Sequence, residues 1–313
     1  IPPLTKKFDT QVTLPGSKSI ALRQLAISAL VDGKTILSGI PECDDIDAMI
    51  ECLGTLGVRI QRTKNELEIS GPIDLSDKTV FINTRMSGAS TRILIGLAAL
   101  RKGLTRIDGH ESLRKRTNEP LLKTLEQMGC IVKREGVGLP VEISGPVMSP
   151  ELEIAGNISS QYVTALLLIS PFLNQEESVA IKIKGDLVSK PYIDITVNEM
   201  RKRGSRVRWN GSRDLVVESG AYSDGEYSIE GDATAASYFS ALATIHNSSV
   251  NFPNLGSNTV QGDYFFFEVM EQLGASVERT EQSTRVSGSI QLEGLNDLDM
   301  NNHPDVALTL IAM

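Results

Sequence analysis

Cysteine is scarce in this 313-residue chain: Cys43, Cys52 and Cys130 are odd in number and show no CxxC spacing. That excludes a disulfide framework and points to reduced thiols in a cytoplasmic compartment. Histidine is equally rare, and His110, His246 and His303 stand at no ligand spacing, so no metal or haem site is expected. Long apolar runs are missing too. Stretches such as Ala165–Ile169 fall far short of the roughly 18 residues that a membrane helix needs. Nor is there an excess of positive charge. With 31 Lys+Arg against 39 Asp+Glu the formal net charge is −8, which argues against nucleic-acid or membrane-surface binding and leaves any anionic ligand to local cations. A signal peptide and an initiator Met are absent at Ile1-Pro2-Pro3, so the true start is expected to be trimmed or to lie upstream. What remains, 41% hydrophobic and 22% charged, is ordinary globular composition, and it excludes disorder, collagen and coiled coil.

What the chain does have is self-similarity. The pentapeptide Glu-Ile-Ser-Gly-Pro occurs at 68–72 and again at 142–146. Gly57, Gly129, Gly204 and Gly274 each close an amphipathic segment, and Gly39, Gly109, Gly185 and Gly256 each follow a short β-like run. Ser17, Ser87, Ser159, Asp232 and Asp305 each mark the start of an apolar helix. All these markers recur at about 72 residues, the signature of a repeat architecture. Each repeat reads as βαβαββ: a short strand (Val12–Leu14, or Tyr227–Glu230), a capped Ala/Leu-rich helix, a β-branched run, a second helix ended by glycine, and two more strands. The second helix of the first repeat carries Ile46, Met49, Ile50, Leu53 and Leu56 at helical spacing. Neither helix can bury its apolar stripe within one repeat, so the repeats must pack on one another. Four are complete, at roughly 10–79, 80–150, 151–225 and 226–296; a fifth opens with Asp297-Leu298-Asp299-Met300 and reaches only part of its first helix.

The first-helix starts differ in a way that bears on function. Repeat one opens Pro15-Gly16-Ser17-Lys18-Ser19, with Arg23 one turn beyond Ser19. A cation at a helix N-terminus opposes the dipole, whereas bare amides, hydroxyls and cations together suit a phosphate or carboxylate. Taken alone, a capped helix with a solvated lysine accounts for Lys18 equally well. Repeat two opens Ser87-Gly88-Ala89-Ser90-Thr91-Arg92, where Gly88 lets a ligand approach the backbone, and repeat three opens Ser159-Ser160-Gln161. Asp232 and Asp305 occupy this place in the last two repeats, as ordinary dipole-complementing caps would. Two loops complete the set: Arg114-Lys115-Arg116, a basic run in an acidic protein, and Lys184-Gly185-Asp186-Leu187-Val188-Ser189-Lys190-Pro191-Tyr192. Each also reads as a solvated loop.

From Leu14 to Met313 these segments resemble the 5-enolpyruvylshikimate-3-phosphate synthase (3-phosphoshikimate 1-carboxyvinyltransferase) family. The resemblance is carried by Leu14-Pro15-Gly16-Ser17-Lys18-Ser19 with Arg23, by Cys43-Asp44-Asp45-Ile46, by Ser159-Ser160-Gln161, and by the run from Lys184 to Thr196. Glu230-Gly231-Asp232-Ala233, Gln261-Gly262-Asp263 and Pro304-Asp305 complete it. It implies an α/β, two-domain enolpyruvyl-transferase fold of βαβαββ repeats in pseudo-threefold inside-out barrels. One domain would be a complete three-repeat body at 16–230; the second, 1–15 plus 231–313, would be incomplete.

The implied enzyme is cytoplasmic and monomeric, and needs no metal or organic cofactor. It transfers the enolpyruvyl group of phosphoenolpyruvate to the 5-hydroxyl of shikimate 3-phosphate. By the same resemblance Lys18 touches both substrates, while Ser19, Arg23, Ser159, Ser160, Ser189 and Tyr192 hold shikimate 3-phosphate. Gln161 lies between the two substrates, Gly88 and Arg116 meet phosphoenolpyruvate, and Asp305 accepts the proton of the attacking hydroxyl. Further acid–base residues of the family would lie beyond Met313, so the chain as given is expected to bind substrate with little or no turnover. Leu22, Thr117 and Met86-Ser87-Gly88-Ala89 depart from the family pattern, which bears on inhibitors such as glyphosate. The competing readings are a UDP-N-acetylglucosamine enolpyruvyltransferase-like enzyme and a non-catalytic anion-binding repeat module.

Overall fold

The computed structural model describes residues 4–64, 66–149, 152–173, 178–295 and 297–313. The chain enters through strand β1 (Asp9–Gln11) and helix α1 (Lys18–Ser28), followed by β2 (Lys34–Ser38), α2 (Asp44–Thr55), β3 (Arg59–Arg62) and β4 (Glu66–Ser70). The next repeat comprises β5 (Val80–Asn83), α3 (Gly88–Ala98), β6 (Thr105–Asp108), the one-turn α4 (Glu111–Arg114), α5 (Glu119–Gln127), β7 (Ile131–Arg134) and β8 (Val141–Ser144). Then come β9 (Leu152–Ala155), α6 (Ser160–Ile169), β10 (Val179–Lys184), α7 (Lys190–Lys202), β11 (Val207–Asn210) and β12 (Asp214–Val217). The last stretch holds β13 (Gly225–Ser228), α8 (Ala233–Ile245), β14 (Ser249–Phe252), α9 (Phe266–Gln272), β15 (Ser276–Arg279), β16 (Thr284–Ser287) and α10 (Pro304–Ala312).

The strands form four sheets of four strands each, with orders β13-β2-β4-β3, β5-β6-β8-β7, β9-β10-β12-β11 and β1-β14-β16-β15. In every sheet the first pair is parallel and the other two pairs are antiparallel, as in β5/β6, β6/β8 and β8/β7. That is the order a βαβαββ repeat generates when its final strand inserts beside the second. The four glycines that end the second helices, Gly57, Gly129, Gly204 and Gly274, have φ of 98°, 95°, 83° and 93°, the left-handed geometry of a helix C-cap.

The opening strands of repeats one and four depart from expectation. The strand before α1 is Asp9–Gln11 rather than Val12–Leu14, and it pairs with β14 instead of β2. The parallel partner of β2 is β13, found at Gly225–Ser228 rather than Tyr227–Glu230. The two repeats therefore exchange first strands. Local pattern could not show this, because either strand satisfies the edge of either sheet. The exchange produces two compact units, Lys18–Ser228 and Ile1–Ser17 with Ile229–Met313. Within the latter the two traversing strands meet in an antiparallel bridge at Gly16 and Gly231, where Ser17 N donates to Glu230 O at 2.8 Å and Asp232 N to Pro15 O at 2.9 Å.

In the unit Lys18–Ser228 the first helices α1, α3 and α6 form the core. Nearly every residue of each is buried, as their lack of a polar face demands. Helices α3 and α6 approach closely, since a β-carbon on Gly96 would stand 2.8 Å from Ala165 O. In the other unit, α8 and α10 pack on Phe252, Phe266 and Phe267 while Tyr238, Leu242, Ile245, Leu308 and Ile311 remain exposed. The segment 297–300, expected to open a fifth repeat as a strand, is not one. Asp305 is not a cap: His303 is the N-cap of α10, and Asp305 lies in its first turn behind Pro304, where its charge still favours the dipole. No helix among the described residues is long and apolar enough to cross a membrane.

Candidate anion site

Lys18 is the first residue of α1, where a cation is disfavoured. Its ammonium is met by Asp45 Oδ2 at 3.0 Å, from the first turn of α2, with the lysine side chain half exposed. Asp45 stands in the Cys43-Asp44-Asp45-Ile46 motif, yet this pairing is not legible in the sequence. The partner comes from the neighbouring helix and no local spacing announces it.

Arg23 is buried and holds three helices together. Its Nη1 donates to Ser19 O at 2.6 Å, its Nε to Thr196 Oγ1 at 2.8 Å, and its Nη2 to Tyr192 O at 2.8 Å and Thr164 Oγ1 at 3.4 Å. Burial pulls its pKa down to about 10, an effect partly opposed by the Glu199 carboxylate, so the guanidinium stays charged at neutral pH. Arg23 thereby brings Ser19 and Tyr192 to one place. The contacts it makes are with protein groups, so what the structure shows is a positioning role.

At the start of α3 the Ser87 hydroxyl accepts from Ser90 N at 3.3 Å, leaving Gly88 as the first helical residue. A β-carbon on Gly88 would lie 2.7 Å from Arg92 Nη1 and 3.3 Å from Arg116 Nη1. Gly88 and Arg116, paired by the sequence reading, are thus neighbours. Arg92 is a third member which that reading quoted but did not assign; its signal was the position one turn after Gly88 on the same helix face. Arg92 is buried, donates to Gly88 O at 2.9 Å and Thr117 O at 3.3 Å, and has its Nε without a hydrogen-bond partner. Desolvation lowers its pKa; the Tyr162 phenol opposes this and the Arg116 guanidinium adds to it. Two guanidiniums side by side at a helix N-terminus, one of them buried, create a field that an anion relieves.

The third helix start is α6. Ser159 caps it, with Oγ accepting from Gln161 N at 3.3 Å; Ser160 is buried and Gln161 half-buried. Ser189, the N-cap of α7, has φ 52° and ψ 42° and makes no side-chain cap hydrogen bond. Its left-handed backbone is uncommon for a residue with a β-carbon, and such strain concentrates at functional sites. Lys18, Ser19, Arg23, Gly88, Arg116, Ser159, Ser160, Gln161, Ser189 and Tyr192 all belong to the compact unit Lys18–Ser228, and Asp305 to the other.

Three helix starts on a βαβαββ-repeat scaffold, all with hydroxyls and two of them, α1 and α3, with cations, define an α/β repeat protein whose candidate site suits small anions. Comparison with known proteins makes the assignment specific. Residues 4–313 match the model of the EPSP synthase (3-phosphoshikimate 1-carboxyvinyltransferase) family, and the chain belongs to that family. The 3-phosphoshikimate 1-carboxyvinyltransferase of Shewanella pealeana is 36% identical over 317 residues, which cover 97% of this chain and 73% of the relative. That of Yersinia ruckeri is 36% identical over 307 residues, 96% of this chain and 71% of the relative. Among solved structures, EPSP synthase from Acinetobacter baumannii superposes with a TM-score of 0.80 at 23% identity, over 99% of this chain and 71% of that one, and shows the same fold.

Proposed function

We propose that the protein transfers the 1-carboxyvinyl group of phosphoenolpyruvate to the 5-hydroxyl of shikimate 3-phosphate and releases inorganic phosphate, a step of aromatic amino-acid biosynthesis. The observation that carries this reading is the Gly88–Arg92–Arg116 cluster, whose paired guanidiniums beside an open helix N-terminus suit a ligand bearing both phosphate and carboxylate. Membership of the family supplies the reaction class.

In this reading Gly88 and Arg116 hold phosphoenolpyruvate, with Arg92 tying Gly88 O to Thr117 O, the residue after Arg116. Ser19, Arg23, Ser159, Ser160, Ser189 and Tyr192 receive shikimate 3-phosphate, and Gln161 lies between the substrates. Lys18 reaches both, exchanging its Asp45 partner for substrate oxygen. A proton added to the methylene carbon of phosphoenolpyruvate makes its C2 electrophilic. The 5-hydroxyl of shikimate 3-phosphate attacks C2 and gives its proton to Asp305. The tetrahedral intermediate then loses a methyl proton and breaks its C2–O bond to phosphate, which restores the enol ether. The same reading takes the protein as a monomer that works in the cytoplasm without metal or organic cofactor. Free Cys43, Cys52 and Cys130 accord with a reducing compartment.

Phosphate release tests it. Release from phosphoenolpyruvate by the full-length gene product is expected to depend on shikimate 3-phosphate; release that ignores shikimate 3-phosphate, or proceeds equally with a UDP-sugar acceptor, would overturn the assignment.

A further inference from the structure

The chain has one tryptophan, and its surroundings are unusually specific. Trp209 lies on β11 and donates from Nε1 to Asp194 Oδ1 at 2.9 Å. The same carboxylate binds Lys190 Nζ, at 3.0 Å through Oδ1 and 2.8 Å through Oδ2. The lysine ammonium also sits 4.4 Å from the centre of the Trp209 ring. Carboxylate, ammonium and indole thus close a triangle. Lys190 is the first residue of α7 and immediately follows Ser189, the residue held at φ 52°.

This geometry has a physical purpose. A residue with a β-carbon leaves the left-handed region unless its surroundings hold it there. The segment before Ser189 is fixed where Val188 N donates to Gly156 O at 3.2 Å, and the turn after it where Arg23 binds Tyr192 O. Between these points Tyr192 N donates to Ser189 O at 3.1 Å, and the Lys190 side chain adds a second fastening. A cation at a helix N-terminus would ordinarily point away into solvent. Here Asp194, one turn on, neutralises it, and the indole face gives it a second attraction that fixes its direction. The lysine charge is therefore paired within the protein, and the polar group this turn can offer a ligand is the Ser189 hydroxyl, which makes no cap hydrogen bond.

We infer that Trp209, with Asp194 and Lys190, is a positioning residue that holds the left-handed turn at Ser189 and so presents the Ser189 hydroxyl to shikimate 3-phosphate. The inference about the ligand rests on the function proposed above, whereas the ordering of the turn does not.

Two measurements separate those parts. In the ligand-free protein, Asp194→Asn and Trp209→Phe are expected to speed hydrogen exchange at 186–193 by about tenfold while the thermal midpoint shifts by no more than about 2 °C. Unchanged exchange in both variants would overturn the inference whatever the ligand. Titration with shikimate 3-phosphate, read by calorimetry, is expected to show each variant binding about tenfold more weakly, equal to about 1.4 kcal/mol. In a Ser189→Ala background the same substitutions should cost less than twofold, because the hydroxyl they position is gone. Full additivity with Ser189→Ala would refute the link between the clamp and that hydroxyl. If the unaltered protein fails to bind shikimate 3-phosphate, the substrate reading falls, and the exchange measurement still decides the clamp.

Discussion

The guanidinium of Arg116 lies 3.3 Å from the point where a β-carbon on Gly88 would stand, with Arg92 Nη1 closer still at 2.7 Å. The space a methyl group would fill therefore borders two cations at the start of α3, and in the proposed function it is the space through which phosphoenolpyruvate reaches them. Gly88→Ala is expected to weaken phosphoenolpyruvate at least tenfold, about 1.4 kcal/mol, when measured with shikimate 3-phosphate saturating. The affinity for shikimate 3-phosphate itself should stay within twofold. Equal losses for both ligands would mean that the substitution disturbs the unit as a whole and that Gly88 does not face one subsite.

Arg23 offers a second test. Lysine keeps the charge but cannot fork between Ser19 O, Tyr192 O and the Thr164 and Thr196 hydroxyls that Arg23 joins. Buried acceptors left without donors cost about 1–3 kcal/mol each, so Arg23→Lys should lower unfolding stability by about 2–4 kcal/mol in a denaturant titration. It should also loosen shikimate 3-phosphate, because the first turns of α1 and α7 lose their common tie. A stability within about 0.5 kcal/mol of the unaltered protein would show that the four contacts carry little.

These two sites mark the boundary of what could be read from sequence. Periodic features were legible because each is local: the positive-φ glycines that end the second helices, the Ser87 and Asp232 caps, and the apolar first helices all follow from short-range rules. The exchange of β1 and β13 was not, since both strands fit either sheet edge and only the path of the whole chain decides between them. At the site, Lys18, Gly88 and Arg116 announce themselves by type and position. The Asp45 partner of Lys18, the Arg92 beside Gly88, and the reach of Arg23 to Tyr192 arise from packing between helices far apart in sequence. Trp209 illustrates the limit: a lone tryptophan on a strand carries no local pattern that points to Lys190.

The three thiols should differ sharply in reactivity. Burial pushes the Cys52 pKa up to about 12, although its Sγ lies 3.3 Å from Asn83 O, and burial alone raises Cys130 to about 11. Cys43 is partly exposed. Because the thiolate is the reactive form, an aromatic disulfide reagent at pH 8 should label Cys43 first, with Cys52 and Cys130 reacting only as fast as the native state opens. In denaturant all three should react together. Three equally fast thiols in the native protein would show that the helix faces around Cys52 and Cys130 are not closed.

Acid stability gives the last test, at the segment that carries Arg116. Asp108 ends β6 and takes Arg114 in a fork, with Nε at 3.1 Å from Oδ1 and Nη2 at 2.8 Å from Oδ2. Burial alone would raise its pKa, but the Arg114 hydrogen bonds and the Gly109 amide outweigh that and hold the carboxyl below its ordinary 3.8. A depressed carboxyl contributes stability that is complete above about pH 4 and is lost as pH falls through the lower native value. Both side chains are partly exposed, so the pair is worth no more than about 1 kcal/mol. Asp108→Asn should therefore change stability at pH 7 only slightly and flatten the fall in melting temperature below pH 4. Its larger effect should be on binding. Arg114 anchors the turn in which Arg116 N donates to Leu113 O, and loosening it should weaken phosphoenolpyruvate several-fold at neutral pH. An unaltered acid limb together with unaltered affinity would show that the Asp108–Arg114 pair neither stabilises the native state nor holds Arg116 against Gly88.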